Sequence, residues 1–209
     1  SLFTVIDPAA QDLPVGVRHV PSADALDEIF DTVLIGIKPQ MLDGLAPAIR
    51  ARMAPGALVL SILAGAMTAT LSKLFPETRI VRLMPNLSAE LGLSPLGLFS
   101  SNLSSAEREA LAKFVAPLGT PIWIENESQM DAVTALAGSG PAFVYRFIDA
   151  MAKGGEAAGL PAVAVIGGSA LGDGIHGARA VVDRLPDLAR EDQPAEGHIE
   201  GARLISALE

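Results

Sequence analysis

Four short apolar runs in this chain end on residues that could do chemistry. Leu2-Phe3-Thr4-Val5-Ile6 runs into Asp7-Pro8, and Val33-Leu34-Ile35-Gly36-Ile37 into Lys38-Pro39. Residues 57–63 run into Ala64-Gly65, and Arg79-Ile80-Val81-Arg82-Leu83-Met84 into Pro85-Asn86. A carboxylate such as Asp7 can bond a ribose diol, but Asp-Pro also starts turns. Lys38 can contact a ribose or phosphate, or simply be solvated. Gly65 lets a backbone approach a flat ring closely, or serves as a loop glycine. Asn86 can read an amide or fix its own loop. If these ends belong to one parallel sheet, they line the edge where such sheets bind ligands.

Other chemistries are excluded or weak. The chain has no cysteine, so thiolate metal sites, disulfides and a cysteine nucleophile are ruled out. His19, His176 and His198 lack metal-ligand spacing, and no metal site is expected. No serine stands in a G-x-S-x-G elbow. Gly138-Ser139-Gly140 joins two helical stretches; it could cradle a carboxylate at the helix beginning with Pro141, or be a tight turn. Gly172, Gly174 and Gly177 spell G-x-G-x-x-G, but no strand precedes them, so they are not read as a dinucleotide fingerprint. A net charge of −9 disfavours nucleic acid and anionic membranes as partners. No apolar run reaches the roughly 18 residues of a spanning helix. No basic stretch leads an apolar one at the start, so a cytoplasmic protein is expected.

The positioning elements follow from the pattern. The four apolar runs read as strands buried on both faces. Helices are expected over 22–30, 41–53 and 68–75 between them, which makes an α/β doubly wound parallel sheet. Further on, 94–100 reads as a strand. Residues 104–118 read as a helix, with Ser104 and Glu107 spaced as a capping box. Residues 120–125 read as an edge strand that tolerates Pro121. From 127 on only helices are expected, over 128–137, 141–153, 163–183 and 199–208, with a polar loop at 185–197. Phe143, Phe147 and Met151 recur at helical spacing and form one apolar face. The expected division is 1–126 and 127–209.

The stretch Met130-Asp131-Ala132-Val133-Thr134-Ala135-Leu136-Ala137-Gly138-Ser139-Gly140-Pro141-Ala142-Phe143 resembles the signature of the Δ1-pyrroline-5-carboxylate reductase family. Ala158-Gly159-Leu160-Pro161, Ile37-Lys38-Pro39-Gln40, Ser61-Ile62-Leu63-Ala64-Gly65 and Arg82-Leu83-Met84-Pro85-Asn86 resemble further family segments, in order. The resemblance implies a Rossmann-like dinucleotide-binding domain followed by an all-helical dimerisation domain. It implies NADPH or NADH as cofactor, and reduction of the ring C=N of pyrroline-5-carboxylate to proline. Carried over by position, it implies that Ile37, Lys38, Pro39, Ala64, Gly65, Met84 and Asn86 line the nicotinamide half. Asp7 would lie near the adenine ribose, where an acid favours NADH over a 2′-phosphate. Thr134, Ser139 and Gly197 are the implied contacts to a small imino-acid substrate, in a homo-oligomer of two or more copies. No catalytic side chain is implied.

Three departures from the family pattern stand out. The family opens with a strand and Gly-rich turn that residues 1–209 lack, so residues beyond these are expected. Its Met-Pro-Asn-Thr-Pro-Ala reads Met84-Pro85-Asn86-Leu87-Ser88-Ala89. Its substrate loop Ser-Pro-Gly-Gly-Thr-Thr aligns with Pro194-Ala195-Glu196-Gly197-His198-Ile199, which adds a negative charge and loses a hydroxyl. Two alternatives follow: a relative acting on another cyclic imine, or a non-catalytic binding or oligomer-forming relative.

Overall fold

The computed structural model describes residues 3–9 and 13–160. These fall into two compact units, the first ending at Gly138 and the second beginning at Ser139.

The first unit is built on a five-stranded sheet. Its strands are β3 (Phe30–Ile35), β4 (Met53–Ser61), β5 (Arg79–Met84), β6 (Ser94–Phe99) and β7 (Gly119–Trp123), side by side in that order. β3, β4 and β5 are mutually parallel, as are β6 and β7. β5 and β6 run antiparallel, which departs from the all-parallel expectation. Residues 85–93 join them without a full helical crossover, and a connection that short returns the chain in reverse. β7 forms the edge, with Pro121 opposite Leu96. Two shorter strands, β1 (Thr4–Ile6) and β2 (Arg18–Val20), pair in parallel as a separate sheet.

Helices cover both faces of the large sheet, as continuous apolar strand runs require. On one face α1 (Leu42–Arg50) and α2 (Thr68–Leu74) bury Leu42, Ala46, Leu71 and nearby Phe75 against Ile35, Val59 and Ile80. On the other, α3 (Ser105–Val115) buries Leu111 and Val115 against Leu60, Val81, Leu83, Leu96 and Leu98. Strand side chains alternate between faces, so Val59 and Leu60 enter different clusters, as do Ile80 and Val81. Ser104 accepts a bond from the Glu107 amide while Glu107 reaches back to the Ser104 amide, which completes the expected box.

Several expected boundaries move. The helix expected over 22–30 is one 3-10 turn at Ala23–Ala25, followed by extended chain. The helix expected over 41–53 stops at Arg50, and Met53 already opens β4. Pro55 and Gly56 fall where the β3–β4 register slips, as residues unsuited to a regular ladder do. The helix expected over 128–137 is a short α4 (Met130–Val133) that widens into a π-helix over Thr134–Gly138.

The second unit contains α5 (Gly140–Ala157), with Pro141 in its first turn as expected. Phe143, Val144 and Phe147 are each more than half exposed on it. The helices expected over 163–183 and 199–208, the loop at 185–197 and Gly197 lie outside the described residues. So do the glycines at 172, 174 and 177.

Candidate functional site

The parallel ladder aligns three strand ends. Ile35 is opposite Ser61, and Ser61 is opposite Arg82. Lys38, Ala64 and Pro85 therefore stand at the same step, each three residues past that row. Lys38 is extended and exposed, and leads into a single 3-10 turn over Pro39–Met41. Ile37 turns inward and packs on the α1–α2 side of the core. Ala64 and Gly65 are exposed, and Gly65 adopts φ +76°, a conformation that favours glycine. Among the described residues nothing lies within 4 Å of where a Gly65 side chain would begin, which leaves the backbone open to a flat ligand there. Met84 is buried at the end of β5.

Asn86 is fixed from three sides. Its amide N–H donates to Ser94 Oγ at 2.9 Å, and its Oδ1 accepts from the Ser88 amide at 2.9 Å. Its Nδ2 donates to the Ala137 carbonyl at 2.9 Å, inside the π-helix. The loop-fixing reading of Asn86 thus holds for its side chain.

Asp7 stands at the end of β1 in the two-stranded sheet, not in the row of three. Its Oδ1 accepts the Ala9 amide at 2.8 Å, the self-bonded turn that Asp-Pro favours. His19 Nε2 lies 2.8 Å from the Asp7 carbonyl oxygen. Thr134 begins the π-helix, and its hydroxyl donates back to the Met130 carbonyl at 2.8 Å. Ser139 is exposed at the start of the second unit.

Three interacting residues were not singled out from the sequence as site residues. Arg82 lies on β5, on the same face as Ile80, and is only 3% exposed. A guanidinium in that setting needs a counter-charge. Glu127 supplies it, with Arg82 Nη1 donating to Oε1 at 3.1 Å. The same carboxylate accepts the Thr68 amide at Oε1 and the Thr68 hydroxyl at Oε2, both at 2.6 Å. Burial raises the pKa of Glu127; the Thr68 hydroxyl and amide and the Arg82 guanidinium outweigh that, and the net direction is down. Among the described residues, the buried Arg82 Nη2 has no hydrogen-bond partner. The available signal was an arginine inside an apolar run; its partner is 45 residues away along the chain.

An apolar cleft of about 360 Å³ opens between Pro95 and Ile122 on the sheet, Ile124 just past β7, and Ala132, Val133 and Leu136 on the helical stretch. Among the described residues no cluster of His, Asp or Glu could hold a metal ion, and no helix is long and apolar enough to cross a membrane.

Residues 127–166 match the family model for pyrroline-5-carboxylate reductase dimerisation. Pyrroline-5-carboxylate reductase of Pseudomonas aeruginosa is 36% identical over 132 residues, which is 62% of this chain and 48% of that protein. The enzyme of that name from Synechocystis sp. is 37% identical over 149 residues, 69% of this chain and 54% of that protein. The chain thus spans about half the length of the curated relatives it matches. Among solved structures, Plasmodium falciparum pyrroline carboxylate reductase with NADP bound superposes with a TM-score of 0.67 at 21% identity. It covers 91% of this chain and 72% of its own. That likeness identifies the fold as Rossmann-like; the helical segment that follows is the one the dimerisation model matches.

Proposed function

We propose, from the premise that this chain belongs to the pyrroline-5-carboxylate reductase family, that it takes part in the NADPH- or NADH-dependent reduction of pyrroline-5-carboxylate to proline. The observation that carries this reading is the row of chain positions at Lys38, Ala64–Gly65 and Pro85–Asn86 that follow the ends of the three parallel strands β3, β4 and β5. The open backbone at Gly65 suits the close approach of a flat ring such as nicotinamide. The cofactor, when bound, supplies the hydride that the imine carbon accepts. The chain's own part is to hold two rings face to face. Lys38 and Gly65 would bound the nicotinamide half, and Asn86 would keep the 85–92 turn in place through its bonds to Ser88 and Ala137. Asp7 would face the adenine ribose. Thr134, Ser139 and Gly197 would contact the imino acid. Residues 1–126 would form the cofactor domain, and residues 127–209 the helical domain that joins two or more copies in the cytoplasm.

Loss of cofactor absorbance on adding pyrroline-5-carboxylate to the purified protein tests this directly. Turnover is expected; cofactor binding without turnover would reject the substrate. The altered residues Glu196 and Ile199 favour one second reading, a reductase of another cyclic imine. A panel of cyclic imines in the same assay separates the two. Absence of any NADH or NADPH binding would instead leave a non-catalytic relative.

A further inference from the structure

Helix α2 begins three residues after Gly65, and its own sequence gives it no cap. The residue before its first turn is Met67, whose side chain makes no capping bond. The missing acceptor comes from Glu127, 59 residues further on, which takes both the amide and the hydroxyl of Thr68. The same carboxylate holds Arg82, two residues before Met84 on β5. Glu127 is also the first residue of the segment that matches the dimerisation model. The stretch it opens is tied down again ten residues on, where the Ala137 carbonyl accepts Asn86 Nδ2. Residues 127–137 are thus bonded at one end beside the 64–67 turn and at the other to the 84–92 turn.

We propose that Glu127 is a positioning residue: through Thr68 and Arg82 it makes residues 127–137 a strut that holds the 64–67 and 84–92 turns at a fixed separation. This rests on the reading of that edge as the nicotinamide side, and adds what sets its width. Gln at 127 keeps the size and one oxygen acceptor but removes the charge that Arg82 faces.

The test uses the whole chain, and compares wild type with Glu127→Gln by amide hydrogen exchange and by NADH and NADPH affinity. Exchange is expected to speed up at least tenfold in peptides covering 62–68 and 84–92, with α3 unchanged and cofactor affinity weakened fivefold or more. Equal acceleration everywhere, α3 included, would make Glu127 a general stabiliser and overturn the proposal. Unchanged exchange in either turn would also overturn it. Should Glu127→Gln fail to fold, Thr68→Val removes one bond and leaves the Arg82–Glu127 pair. It is then expected to speed exchange about threefold in 62–68 and, in the same direction, in 84–92; an effect confined to residue 68 would overturn the strut. Wild-type protein that binds neither cofactor would reject the functional reading alone, because the exchange comparison needs no cofactor.

Discussion

Lys38 is an exposed cation at the end of β3, at the same step as Ala64 and Pro85. Lys38→Ala is expected to weaken cofactor affinity about tenfold, the equivalent of roughly 1.4 kcal/mol, with the fold unchanged. Equilibrium titration of NADH and NADPH checks it, and unchanged affinity would remove Lys38 from the site. Glu107 makes a different prediction. The Ser104 hydroxyl, the Arg79 guanidinium and the Ser104 amide lower its pKa from 4.5 to about 2. A carboxylate whose folded pKa is depressed stabilises fully above its unfolded value and ceases to as pH falls through the folded one. The contribution of Glu107 is therefore lost between about pH 4.5 and pH 2. The direction for Glu127 is the same. Melting temperatures across that range should fall less steeply in Glu107→Gln than in wild type.

At the level of elements, α4 crosses β6 where Gly97 leaves room. A side chain begun at Gly97 would sit 2.6 Å from Val133 Cγ1. Gly97→Ala is expected to cost about 1–3 kcal/mol, as overpacking does. Adding Val133→Ala should recover part of it, and urea unfolding measures both. The strands β3, β4 and β5 were legible because each contains a short apolar run followed by turn residues. β2 was not, since Arg18–Val20 is three residues long with one buried side chain. The 22–30 stretch has helix-forming composition, but Leu26 is buried in extended chain, so tertiary contact overrode propensity. Hydrophobic pattern carries no strand direction, which hid the β5–β6 reversal. It also cannot show a π-turn, whose register depends on bonds such as Asn86 to Ala137. The candidate edge itself was readable residue by residue at Lys38, Gly65 and Asn86. The Thr68–Glu127–Arg82 group was not, because no local spacing joins residues that far apart.

For the whole molecule, the matched 127–166 segment and the exposed Phe143 and Phe147 on α5 point to self-association. Light scattering is expected to report a dimer or larger. Phe143→Asp with Phe147→Asp should shift it toward monomer while helical content is kept; an unchanged mass would place the interface elsewhere. The borrowed cap on α2 has a consequence in time. As the chain leaves the ribosome, residues 68–74 emerge long before Glu127. Until then α2 lacks the acceptor for its first amide, and Arg82 must wait in water instead of entering the face beside Ile80. Contacts of such sequence separation form late. The sheet face beside the proposed cofactor edge is therefore expected to close only after the start of the helical segment has been synthesised, so nascent chains cut short before residue 127 should emerge with that face open.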